Sequence, residues 1–222
     1  MSTALALYRS SLGKKYIMAV TGIIGFGYVL GHMIGNLQAF PALGGAEGIN
    51  AYAHFLHHGS HGLIWVARAI LLAAVLLHIL AAYQLTQMSH SARPSAYEKW
   101  DPVAANYASR TMRWTGPLLA LFIIYHILHL TYGTVHPNFV EGDVYNNLID
   151  GFRVWYVSAF YIICMLALGL HLYHGLWSMF QSLGWNTPQY DALLHKFAVV
   201  FTILIVVGFI SVPIGVLTGM IA

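Results

Sequence analysis

Charge is scarce in this chain. Only 8% of its 222 residues are Asp, Glu, Lys or Arg, while 59% are hydrophobic, and a water-soluble domain carries roughly 25% charge. The lone cysteine, Cys164, excludes an internal disulfide, a thiolate cluster for iron–sulfur ligation and a Cys-x-x-Cys-His haem attachment; it reads as a small core residue. The 21 glycines form no dinucleotide fingerprint. The net charge of +3 comes without a basic stripe interleaved with aromatics, so nucleic-acid binding is dismissed. Seven prolines sit at the edges of apolar runs except Pro117 and Pro213, of which Pro117 is read as first-turn and Pro213 as a possible kink. The broken helices of a membrane transporter are therefore not expected.

What remains is apolar sequence in long runs. Five stretches, 16–40, 63–86, 114–133, 154–180 and 197–221, each reach the ~20 residues that span a lipid bilayer. The expected fold is all-α: one polytopic membrane bundle of five transmembrane helices over 1–222, joined by short loops. The first stretch is too long for a signal-peptide core and should be retained.

Cations set the orientation, because cytoplasmic connections keep Lys and Arg. Arg9, Lys14 and Lys15 precede the first stretch, Arg93, Lys99, Arg110 and Arg113 lie between the second and third, and Lys196 precedes the fifth. Glu47, Glu141, Asp143 and Asp150 fall in the other connections. The expectation is an inner-membrane protein with its N-terminus in the cytoplasm and its C-terminus outside.

Thirteen histidines are present, and an imidazole inside an apolar helix is costly enough to suggest a function. An internal repeat selects among them. Thr21-Gly22 is followed after nine residues by His32, and Thr115-Gly116 after nine residues by His126. His78 and His171 complete two hairpins: His32 and His126 lie 94 residues apart, His78 and His171 93. His129 and His174 break this relation and rank second. Counted from the basic flanks at ~1.5 Å per residue, His32 and His126 lie ~25 and ~24 Å from the cytoplasmic side. His78 and His171 lie only ~14 to 15 Å from it.

Two imidazole pairs at two depths, without thiolate or carboxylate, suit bis-histidine iron in two non-covalent b-type haems better than zinc or di-iron. His32 and His126 would hold an outer haem, His78 and His171 an inner one. Arg68, ten residues outward of His78, is a candidate partner for a haem propionate. Arg113 and Arg153 are weaker candidates, since arginines at a membrane edge often snorkel.

The segment Asn50 to His61 holds His54, His57, His58 and His61. It resembles one histidine box of a di-iron hydroxylase, but such enzymes need several boxes on one face. An interfacial amphipathic segment over the outer haem is expected instead. Quinone-binding residues are not determined by the sequence.

The segments LGKKYIMAVTG and GHMIGNL in the first stretch, SRTMRWTG entering the third and GLHLYHGLWSMFQSLGW ending the fourth identify a resemblance. The chain resembles, over nearly its whole length, the diheme cytochrome b membrane subunit of succinate:quinone oxidoreductases and fumarate reductases in its one-chain, five-helix form. By position, the resemblance implies the same four ligands, His32, His78, His126 and His171. It also implies a flavoprotein subunit and an iron–sulfur subunit docked on the cytoplasmic face, with electrons passing to or from menaquinone or ubiquinone. Succinate chemistry would belong to the flavin subunit. Diheme subunits of other quinone-linked oxidoreductases would share the electron-transfer role, and only the family segments argue against them.

Overall fold

The structure, a computed structural model, describes residues 3–59, 62–92 and 107–222. Arg93, Lys99 and His61 lie outside the described residues. Among those described there is no strand, and eight α-helices follow in order: α1 (Thr3–Arg9), α2 (Ser11–Leu37), α3 (Gly45–His54), α4 (Leu63–Ser91), α5 (Tyr107–Leu130), α6 (Val144–Arg153), α7 (Trp155–Ser182) and α8 (Asp191–Leu217). Of these, α2, α4, α5, α7 and α8 are long and apolar enough to cross a membrane. The chain is a multi-pass, all-helical membrane protein.

Each spanning helix runs past its apolar stretch into polar flanks at one end, while α2, α5 and α8 stop three or four residues short of it at the other. α2 starts at Ser11, where Ser10 caps it by accepting from the Gly13 N–H at 3.0 Å. α1 folds back over this start: Lys14 donates to the Tyr8 carbonyl at 2.9 Å, and a Cβ on Gly13 would meet the Leu7 carbonyl. α5 begins at Tyr107 rather than 114. Pro117 therefore sits ten residues inside α5, and the first-turn reading is corrected. It leaves the carbonyl of Arg113 without its intrahelical partner.

The expectation of short loops between spans is also corrected. α3 and α6 are helices in the first and third connections; α3 overlaps the amphipathic segment expected from Asn50 to His61, and α6 was not expected. α6 escaped notice because its apolar face is short: Tyr145, Leu148, Ile149 and Phe152 are buried while Asn146 and Arg153 are exposed. The two form one cap. Asn50 of α3 donates to Asp143 at 3.2 Å and accepts the Tyr145 N–H at 3.0 Å, and Asp143 caps α6 by accepting from the Asn146 N–H at 3.2 Å.

α2 packs on α4, α5 on α7, and α2 on α7, while α8 lies against both α2 and α7. The main core gathers beneath the cap, where Ile49, Ile149, Phe152, Cys164, Val216 and Ile221 meet. Cys164 is fully buried there. Small residues set the tightest approaches, and a Cβ on Gly169 of α7 would come 2.8 Å from Val206 of α8.

Candidate functional site: two facing histidine pairs

The packing order α4, α2, α7, α5 makes α2 and α5 one diagonal of a four-helix group and α4 and α7 the other. Among the described residues neither diagonal pair packs closely backbone to backbone. The four repeat-selected histidines bridge these diagonals. The rings of His32 on α2 and His126 on α5 are 5.7 Å apart between centroids, and those of His78 on α4 and His171 on α7 are 6.2 Å apart.

The rings of His78 and His171 both meet the threonines of the repeat. Thr21 donates its hydroxyl to the Ile17 carbonyl at 2.7 Å and lies 3.0 Å from Nδ1 of His78. With its proton committed, the hydroxyl can accept from Nδ1–H, and in that tautomer the His78 Nε2 lone pair is free. Thr115 repeats the device, donating to the Thr111 carbonyl at 3.2 Å and facing Nδ1 of His171 at 3.4 Å. The Thr-Gly element seemed only to mark the repeat; each threonine in fact serves a histidine on the next spanning helix.

The His32–His126 pair is held differently. His32 stacks on Tyr28 at 5.4 Å and touches Phe209 of α8 at 5.8 Å, while Phe122 stacks on His126 at 5.7 Å. The Tyr161 hydroxyl lies 3.4 Å from Nδ1 of His126 and 2.9 Å from Nδ1 of His129. His129 is 1% exposed, and its Nε2 has no hydrogen-bond partner among the described residues. Its ring lies 5.0 Å from that of His136, against Gly151 of α6, where a Cβ would stand 2.8 Å from His129 Cε1. The repeat exposes how the halves differ: Tyr161 occupies the place of Arg68, and His129 that of Gly35.

The arginines do not join these rings. Arg68 lies over Trp65 at 4.7 Å, Arg153 is exposed with Asp150 at 3.9 Å, and Arg113 is exposed on α5. Among the described residues none of the three contacts the four histidines.

The donor set can be tested against the ions it could hold. No group of three or more His, Cys, Asp or Glu converges among the described residues, so neither facing pair offers the three or four protein ligands usual for zinc or the carboxylate-rich set of di-iron. Two imidazoles sharing one metal at roughly 2 Å per bond place their centroids about 6 Å apart, which matches both pairs. Gly22 stands beside His78, with a Cβ position 3.8 Å from its ring, and Cβ positions at Gly25, Gly116 and Gly175 meet nothing within 4 Å. The residues fit a flat macrocycle between two imidazoles.

The family model described as succinate dehydrogenase/fumarate reductase transmembrane subunit matches residues 90–211. The chain belongs to that family. No curated protein and no solved structure matches it. The region matched to the succinate dehydrogenase/fumarate reductase subunits carries His126 and His171, whereas His32 and His78 precede it and are tied to it by the internal repeat. Membership places this transmembrane subunit in an enzyme complex, the succinate:quinone oxidoreductases.

Proposed function

We propose that this subunit carries electrons between an iron–sulfur subunit and a membrane quinone through two b-type haems, one held by His32 and His126 and the other by His78 and His171. The observation that carries the reading is the pair of facing rings on unpacked diagonals, with Nδ1 of both inner rings tied to the repeat threonines. Each haem would supply a one-electron carrier. The chain's own residues orient the imidazoles, since an Nδ1–H anchored on threonine fixes the tautomer that presents Nε2. Around the outer pair, Tyr161 can accept from Nδ1–H of His126 while donating to His129.

An apolar groove of about 450 Å³ between α5 and α7, lined by Leu121, Phe122, Tyr125, Tyr156 and Phe160, supports a quinone partner. Its wall residue Phe122 is also the ring stacked on His126. The flavoprotein and iron–sulfur subunits would dock on the cytoplasmic face of an inner membrane, with the N-terminus inside and the C-terminus outside. Succinate chemistry would lie on the flavoprotein.

Pyridine-haemochrome analysis and redox titration of the purified chain test this reading. Two low-spin haems per chain are expected; none, or one, overturns it. Co-purification of a flavoprotein from the native membrane tests the partners. Thiol labelling of a cysteine placed at Thr187, before α8, reports the orientation: it should react only from the cytoplasmic side.

A further inference from the structure

Between Glu47 and Arg68 the chain holds no Asp, Glu, Lys or Arg, yet four of its histidines fall there. His54 closes α3, and the backbone runs on through Phe55–Gly59 in a π-helical register, a widening frequently found at functional sites. His54, His57 and His58 are all exposed. The rings of His54 and His58 lie 4.8 Å apart with their planes tilted by 40°, and His57 is 6.4 Å from His58. No hydrogen bond to another described residue occupies their ring nitrogens.

Two imidazoles four residues apart on one helical face can close on a single ion, the spacing used by zinc-binding helices. Imidazole without carboxylate favours zinc, copper or nickel over calcium or magnesium. We propose that His54 and His58 chelate a divalent ion of the zinc and copper class on the α3 cap. Water fills its remaining positions, and His57 is the nearest further imidazole.

Such an ion would act on the rest of the fold through Tyr52, two residues before His54. The Tyr52 ring edge lies 2.7 Å from where a Cβ of Gly35 would stand. Gly35 is one turn beyond His32. Clamping the end of α3 therefore restrains the element that closes over the His32 side of the bundle. The site stands independently of any haem.

The test uses the full-length protein, purified without a polyhistidine tag, titrated calorimetrically with ZnCl2 and, separately, with CuCl2 under electron paramagnetic resonance. One ion per chain and a copper signal split by two nitrogens are expected. His54→Asn and His58→Asn, both at exposed positions, should each weaken binding at least about tenfold and abolish the two-nitrogen pattern. His195→Asn, whose ring stacks on Trp177 3.4 Å away, should leave both readouts unchanged. Wild-type binding no tighter than that of the His54→Asn/His58→Asn double variant overturns the proposal. So does a multi-site isotherm that neither substitution alters.

Discussion

The Thr21 hydroxyl lies 3.0 Å from Nδ1 of His78, and the equivalent Thr115 faces Nδ1 of His171. Removing such an orienting partner commonly weakens metal affinity by 10- to 100-fold. Thr21→Val keeps the shape and deletes the acceptor, so inner-haem retention should fall by about tenfold while the outer signal persists. Thr115→Val should do the same to a smaller degree, its contact being longer. Haem content and the low-spin spectrum of the two variants check this.

His126 and His129 both reach Tyr161 but face different neighbours. His126 looks across the bundle to His32, and His129 toward His136 and α6. His126→Ala should abolish the outer low-spin signal. His129→Ala should preserve it and lower thermal stability, because it empties a buried site. Spectra of the two variants showing the opposite pattern would transfer the ligand role to His129.

Gly151 leaves room for His129. A methyl group there would stand 2.8 Å from His129 Cε1 and 3.2 Å from Nε2 of His136, and overpacking of this kind costs about 1–3 kcal/mol. Gly151→Ala should lower the unfolding temperature in detergent, and Gly151→Ala combined with His129→Ala should recover most of the loss.

Asp143 ties the cap together, and Asp143→Ala should cost α6 about 1 kcal/mol as a lost helix cap. The Asn146 side chain above all, with the Asn146 N–H and Asn50 adding to it and desolvation opposing, holds this carboxyl below its ordinary 3.8. A depressed value means the contribution is complete above the ordinary carboxylate range and is lost as pH falls through the lower, folded value. Hydrogen exchange of α3 and α6 should therefore be level from about pH 7 to 5 once corrected for intrinsic rates, with protection declining only below about pH 4.

Apolar runs made five spans legible, and a repeat of about 94 residues picked out four histidines whose rings the fold sets in two facing pairs, because both signals are periodic and repetition survives in sequence. The cap was not legible: α6 buries a face only one or two turns long, and Asn50 acts on residues more than ninety positions away. Tyr161 was hidden for the same reason. A tyrosine in an apolar helix looks like any other membrane aromatic until the fold brings it against His126 and His129. Pro117 was misplaced because α5 already runs through the more polar residues from Tyr107, which hydropathy leaves outside the apolar stretch.

Two copies of one hairpin, set in the same sense, would make the two ligands of each proposed centre equivalent, because each facing pair takes one ring from each copy. Any asymmetry between the two sides of one proposed centre has to come from places where the copies diverged. Two such places lie close together on the fold: a fixed cation at Arg68 answered by the neutral phenol of Tyr161, and the bare backbone of Gly35 answered by the imidazole of His129. On the proposed function, these few substitutions, and not the shared scaffold, make the His126 side of one centre unlike its His32 side.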